Sequence, residues 1–244
     1  MAGKIALLQA RPTVGDLQGN SAILTQLVNS ACNAGANLAV STELMISGYP
    51  PRDLLLQPDF IAACEKVAMG FEAEIPVLIG CPLSANAQRH RPGNGVVRAG
   101  DISREVVRKQ LLPTYDVFDE DRYFEPATGN LPVEFKGQKL GLTICEDAWN
   151  DAEFWRDRRY HQDPVAQLVE QDVDCLINIS ASPWHLGKGR MRREMLASLA
   201  AKSACPILYC NAVGGNDELV FDGRSLALNK NGQILAGGAS FQED

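Results

Sequence analysis

The run Leu140-Gly-Leu-Thr-Ile144 stops abruptly on Cys145, and Glu146, Asp147 and Trp149 follow at once. A short apolar stretch with β-branched residues reads as a buried strand. A buried strand that delivers a cysteine to its own end and then turns is one way to present a nucleophile. The strand holds the backbone rigid up to Cys145, and the turn exposes the sulfur and frees N–H groups to face a developing oxyanion. The alternative is a core cysteine that closes a strand, since free cysteine is among the most buried residue types.

Two further stretches repeat the pattern. Leu38-Ala-Val-Ser-Thr42 runs into Glu43 and then into the turn at Gly48-Tyr-Pro-Pro51. Arg104-Glu-Val-Val-Arg108 runs into Lys109, and Pro113 opens a loop. Three strands each deliver one reactive side chain to a terminus: a carboxylate, an ammonium and a thiol.

The chain between them alternates β-α-β units with hairpins. A strand over 4–9 leads to a helix capped by Asn20 or Ser21, with Ile23, Leu24, Leu27, Val28 and Ala31 on one face and Gly35 at its end. A strand over 37–41 follows. Further helices are expected over 60–71, 151–159, 164–171 and 191–203. Strands are expected over 77–81, 173–180 and 206–210. Hairpins are expected at 94–98 with 102–109, 133–135 with 139–144, and 224–228 with 233–236. Gly214-Gly215 and Phe221-Asp-Gly223 read as turns. The pattern predicts mixed sheets covered by helices in one α/β domain.

Composition narrows the function. A net charge of −7 argues against electrostatic nucleic-acid binding. No apolar run approaches the roughly 20 residues of a membrane span, and no long apolar signal region precedes the first strand. Seven cysteines at irregular spacings argue against a disulfide framework and for a reducing, cytoplasmic setting. His90, His161 and His185 are scattered and there is no Cys-x-x-Cys, so no metal site is expected.

Three ordered motifs carry a resemblance: Ser41-Thr-Glu-Leu-Met-Ile-Ser-Gly-Tyr-Pro-Pro-Arg-Asp-Leu-Leu55, Lys109-Gln-Leu-Leu-Pro-Thr-Tyr-Asp-Val-Phe-Asp-Glu-Asp-Arg-Tyr-Phe124 and Ile144-Cys-Glu-Asp-Ala-Trp149. They resemble the Glu-Lys-Cys motifs of the nitrilase (carbon-nitrogen hydrolase) superfamily. Within it they are most similar to the amidase domains of glutamine-dependent NAD+ synthetases, over essentially the whole chain. The resemblance implies a four-layer α-β-β-α sandwich of two mixed sheets, with residues 1–244 as a single domain. It implies a glutamine amidohydrolase that releases ammonia through a cysteine thioester. Cys145 would be the nucleophile, Glu43 the base and proton carrier, and Lys109 the stabiliser of the oxyanion.

Glu120 matches an auxiliary glutamate that orients Lys109 or the substrate. Tyr115 and Phe118 match residues that close on glutamine, and Glu146 matches a partner for its α-ammonium. Ser182, with Lys188 or Arg190, would meet the α-carboxylate. Otherwise Lys188, Arg190, Arg192 and Arg193 read as a solvated helix start, and the remaining six cysteines as core.

No cofactor is implied for this domain. ATP and Mg would serve a separate synthetase domain, whose Ser-Gly-Gly-x-Asp-Ser loop does not occur in this sequence. The implied partners are glutamine, that synthetase domain or subunit, and further copies of the chain in a homo-oligomer. Two competing readings are a free-standing hydrolase of the ω-amidase or carbamoylase type and an inactive interaction module. Cys145-Glu-Asp-x-Trp149 favours glutamine, and the intact Glu-Lys-Cys set speaks against an inactive module.

Overall fold

In the computed structural model, β1 (Ile5–Leu7) and β2 (Leu38–Val40) pair in parallel across helix α1 (Leu17–Asn33). The described residues are 3–151, 153–155, 157 and 159–244. Helix α1 begins earlier than Asn20 or Ser21 because Asp16 caps it, accepting the Gly19 N–H at 2.9 Å. Glycine at 19 leaves room for that carboxylate, which a Cβ would strike. Asn20 is instead buried inside the helix, and its amide donates to the carbonyls of Thr13 and Ile46 at 2.8 and 2.9 Å. It thereby ties the loop before α1 to the turn after β2.

Helix α2 (Pro58–Met69) leads to β3 (Val77–Leu83), which pairs parallel to β2. The antiparallel strands β4 (Gly93–Ala99) and β5 (Arg104–Arg108) complete a five-stranded mixed sheet in the order β1-β2-β3-β4-β5. The second sheet starts with the hairpin β6 (Val133–Phe135) and β7 (Gln138–Ile144). After α3 (Pro164–Val169) comes β8 (Cys175–Ser180), and after α4 (Lys188–Ser203) comes β9 (Ile207–Asn211). A two-stranded ribbon follows, β10 (Val213–Asn216) with β11 (Leu219–Asp222). Then β12 (Leu226–Leu228) and β13 (Ile234–Gly237) close a six-stranded sheet in the order β13-β12-β9-β8-β7-β6.

Period-two alternation sorts the side chains into layers. Ala39, Val77 and Ile79 pack outward with Leu24 and Val28 of α1 and Cys64 and Ala68 of α2. Leu38, Val40 and Leu78 point the other way, into a layer shared with Leu140, Leu142, Ile144, Ile177 and Ile179 of the second sheet. Leu176 and Ile207 face outward again, onto Val165 and Leu168 of α3 and Met195, Leu196 and Leu199 of α4. The result is the α-β-β-α sandwich that the sequence motifs imply. Each fully buried Leu, Ile, Val or Phe contributes about 1.5–3 kcal/mol, so the three apolar layers dominate the stability.

Two expectations are corrected. Among the described residues of 151–159, where a helix is expected, the chain forms turns, bends and irregular backbone, and Ala152, Arg156 and Arg158 lie outside the described set. Local side-chain bonds compete with the helix. Asp151 accepts the Glu153 N–H at 2.8 Å, and the Asn150 amide holds the carbonyls of Tyr160 and Gln162 at 2.9 and 2.6 Å. Gly214-Gly215 and Phe221-Asp222 are ribbon strands rather than turns, paired with Gly214 opposite Phe221. Gly214 has φ +114°, and a Cβ there would come within 2.6 Å of the Arg11 side chain, so glycine serves close approach within a strand.

Among the described residues no helix is long and apolar enough to cross a membrane.

Candidate active site

The ends of β2, β5, β7 and β8 meet at one edge of the sandwich. Glu43 lies just beyond β2, Lys109 directly after β5, Cys145 directly after β7 and Ala181 directly after β8. Glu43 and Lys109 are each 1 % exposed and form an ion pair at 2.8 Å. Glu43 Oε1 accepts from both Lys109 Nζ and the Asn94 amide, at 2.8 and 2.7 Å. Its Oε2 accepts the backbone N–H of Ala181 at 2.8 Å. Glu43 is thus bound by both sheets. Oε2 carries a single donor and keeps acceptor capacity.

Glu120 completes the cluster. Both its oxygens lie 2.8 Å from Lys109 Nζ, and Oε1 also accepts from the Tyr49 hydroxyl at 2.8 Å. Burial alone would lower the Lys109 pKa, but Glu120 and Glu43 raise it well above the ordinary lysine value and hold it charged. Burial, with Glu43 as a like charge, pushes the Glu120 carboxyl up, opposed by Lys109.

Cys145 is buried with φ +42°, and Leu44, after Glu43, has φ +48°. Left-handed backbone at a residue other than glycine costs on the order of 1–3 kcal/mol and persists where neighbours enforce it. Burial raises the Cys145 thiol well above its ordinary value, Glu43 raises it further, and Lys109 opposes both. Burial and Glu43 thus favour the protonated sulfur, which suits proton transfer at the moment of attack.

Glu146, directly after Cys145, lines a cavity of about 210 Å³ with Tyr115, Trp149, Asp157, Arg159 and Lys188, among others. Glu146 Oε1 accepts from the hydroxyls of Tyr115 at 2.8 Å and Tyr160 at 3.1 Å. Burial and Glu146 raise the pKa of both phenols, so they remain donors. The Lys188 ammonium lies 4.0 Å over the Trp149 ring, and the Arg159 guanidinium 3.7 Å over Tyr115. Burial lowers the Lys188 pKa.

Phe118 meets Tyr115 edge-on at 5.6 Å but lines a separate small hollow with Tyr49 and Glu120. Ser182 is buried. Its N–H donates to Asn211 Oδ1 at 2.9 Å, and its Oγ lies 3.5 Å from Arg192. The structure therefore brings Glu43, Lys109, Glu120 and Cys145 together and sets Tyr115, Glu146 and Lys188 around the adjoining cavity. Phe118 and Ser182 stand outside that lining.

Sequence reasoning missed Asn94, Tyr49, Tyr160 and Arg192. Arg192 is 1 % exposed and pairs with Asp222 at 2.9 Å, so it is no part of a solvated helix start. Its spacing to Met195, Leu196 and Leu199 places it on the buried face of α4, a signal readable in the sequence. Tyr49 sits in the Gly-Tyr-Pro-Pro turn, whereas nothing in the sequence marks Asn94 or Tyr160. Cys32, expected in the core, is only partly buried, packed on the α1 side of the first sheet. Among the described residues no group of three or more His, Cys, Asp and Glu is placed to hold a metal ion.

A two-sheet α-β-β-α sandwich with a thiol on a strained turn near a buried carboxylate–ammonium pair defines a class of sandwich-fold hydrolases. The chain belongs to the carbon-nitrogen hydrolase family, whose model matches residues 4–244. It is 39 % identical over 251 residues to a glutamine-dependent NAD(+) synthetase of Synechocystis, an alignment covering 98 % of this chain and 45 % of that protein. A glutamine-dependent NAD(+) synthetase of Thermotoga maritima is 36 % identical, over 99 % of this chain and 41 % of its own length. The solved glutamine-dependent NAD+ synthetase of Acinetobacter baumannii, in complex with adenosine diphosphate, superposes with a TM-score of 0.87 at 32 % identity, over 99 % of this chain and 44 % of that one. An amidase from Nesterenkonia sp. shares the fold with a TM-score of 0.81 at 21 % identity, over 98 % of this chain and 87 % of that one. The chain thus spans less than half the length of the synthetases it matches.

Proposed function

We propose that the chain hydrolyses the side-chain amide of glutamine through a thioester on Cys145. One observation carries the substrate: the cavity that Glu146, the residue after Cys145, lines holds acids, Glu146 and Asp157, and cations, Lys188 and Arg159. An α-amino acid presents an ammonium and a carboxylate, and this lining complements both charges. The names of the relatives support the same substrate.

In the proposed reaction the Cys145 thiol passes its proton to Glu43 Oε2 as the sulfur attacks the amide carbon. Lys109, kept cationic by two carboxylates, stabilises the oxyanion. The C–N bond then breaks, and Glu43 returns the proton to the leaving nitrogen as ammonia. Water gives a proton to Glu43 and attacks the thioester, and glutamate leaves as the sulfur regains its proton. Glu120 and Tyr49 hold Lys109 from the far side. Tyr115 and Tyr160 orient Glu146 towards the α-ammonium, and Lys188 meets the α-carboxylate. Phe118 backs the Tyr115 ring, and Ser182 supports the α-carboxylate end through its link to Arg192. No cofactor takes part.

The ammonia would serve NAD+ formation by an ATP- and Mg-dependent synthetase domain or subunit in the cytoplasm. Copies of the chain would assemble as a homo-oligomer, and sedimentation as a monomer at micromolar concentration would contradict that. The activity is tested by ammonia release from L-glutamine and from amides without an α-amino group. Release from glutamine alone is expected. Equal release from simple amides would assign the chain to general amide hydrolysis instead.

A further inference from the structure

We propose that Asp147 is a positioning residue that sets the spacing between Lys109 and Cys145; the proposal rests on the hydrolytic reading above. One buried carboxylate spans the two sheets. Its Oδ1 accepts the backbone N–H groups of Gln110 at 3.0 Å and Leu111 at 2.8 Å. Its Oδ2 accepts the N–H of Ile144 at 3.0 Å. Gln110 directly follows Lys109 at the end of β5, and Ile144 directly precedes Cys145 at the end of β7.

At Lys109 the β4–β5 ladder ends, with the Lys109 N–H on the Asn94 carbonyl at 2.8 Å. The next two N–H groups turn to Asp147. On the other side of Cys145, the Asn178 amide lies 3.3 Å from the Cys145 carbonyl and 2.9 Å from Thr143 Oγ1. The left-handed cysteine is thus held at the N–H of the residue before it and at its own carbonyl. Such over-determination is what a strained residue needs to persist.

Burial pushes the Asp147 carboxyl up to about 7, against the three N–H donors and Lys109, which favour the ionised form. A charge-assisted clamp is stronger than a neutral one, and an amide cannot replace it. In Asp147→Asn one oxygen remains to accept, and an NH2 group faces an N–H on the other side.

The test compares Asp147→Asn with Asp174→Asn. Asp174 accepts the Lys139 N–H at 2.8 Å near the far end of β7, away from Cys145. Two readouts are used: glutamine kinetics, and the pH profile of Cys145 alkylation by iodoacetamide without glutamine. We expect Asp147→Asn to lower kcat at least about tenfold with KM within about twofold, and to displace the alkylation profile. Asp174→Asn should leave both unchanged. If Asp147→Asn does not fold, Asp147→Ser, whose hydroxyl keeps one acceptor, is measured in the same way. Wild-type kcat and an unmoved alkylation profile in the folded variant would overturn the proposal, as would equal effects in Asp174→Asn. Wild-type chain that alkylates at Cys145 but releases no ammonia from glutamine would count against the hydrolytic reading alone, with the clamp still decided by the alkylation profiles.

Discussion

Lys109 Nζ stands 2.8 Å from Glu43 Oε1, and neither side chain reaches solvent. A buried pair of this kind is costly to desolvate, and its attraction offsets that cost only when the remaining hydrogen-bonding capacity is satisfied. Here Glu120, Asn94 and the Ala181 N–H satisfy most of it, and Glu43 Oε2 alone keeps room for a further donor. The cluster is a poor way to stabilise a sandwich and a good way to hold a carboxylate and a cation beside a thiol.

Replacing Lys109 by Ala leaves Glu43 and Glu120 buried without their cation. Breaking such a pair from one side costs about 3–5 kcal/mol of stability. Turnover of the fraction that folds should fall by about 10²–10³, with a smaller change in KM, because the lysine acts on the oxyanion. Steady-state kinetics beside a denaturant titration separate the two effects. A change confined to KM would make Lys109 a substrate-binding residue.

Glu43→Gln should abolish turnover and make Cys145 more reactive towards iodoacetamide. Burial raises the thiol first and Glu43 second, while Lys109 lowers it. Removing the carboxylate leaves the cation, so the thiol pKa falls and the thiolate fraction below that pKa grows about tenfold for each unit of the fall. Alkylation rates across pH 6–9 check the sign. Slower alkylation in the variant would mean that Glu43 activates the sulfur by withdrawing its proton in the resting state.

Cys145→Ala should fold and lose all turnover, while Cys64→Ala should lose on the order of 1 kcal/mol of stability and keep its rate. Both cysteines are buried, so burial does not separate them. The difference lies in surroundings. Cys64 packs among Ala68, Ile79 and other apolar side chains, whereas Cys145 has left-handed backbone and lies within the fields of Glu43 and Lys109. A folded Cys64 variant without turnover would undo the assignment.

Gly80→Ala should damage activity from a distance. A Cβ at Gly80 would come within 2.7 Å of the Leu44 nitrogen and 3.0 Å of the Glu43 Cα, and closer still to the Thr42 carbonyl. These are backbone atoms, so the turn bearing Glu43 must shift. Overpacking costs about 1–3 kcal/mol. A displacement of about 1 Å at the base should lower kcat by as much as about 10². Wild-type kcat in Gly80→Ala would show that the Glu43 turn tolerates movement.

The sandwich and the ends of its strands were legible because period-two alternation and the polar residue closing each run are local signals. Lys109 and Cys145 each directly follow a strand and Glu43 comes three residues after one, and the two packed sheets bring those strand ends to one edge. What was not legible depends on partners remote in sequence. Asn94 matters only because β4 carries it beside Glu43, and Tyr160 only because its hydroxyl returns to Glu146. A helix over 151–159 would hide that return. Arg192 was lost among basic neighbours although its spacing on α4 marks the buried face. The glycines of β10 mislead in the same way, since close approach to Arg11 and turn formation both call for glycine.

The central claim is that Cys145 carries the γ-glutamyl group during turnover. Acid quenching of the chain with L-glutamine, followed by intact-mass and peptide mass spectrometry, tests it most directly. The account predicts a mass increase of one γ-glutamyl group on the peptide bearing Cys145, absent in Cys145→Ala and lost on treatment with hydroxylamine, which cleaves thioesters. Ammonia release with no such adduct, or with release retained in Cys145→Ala, would contradict it.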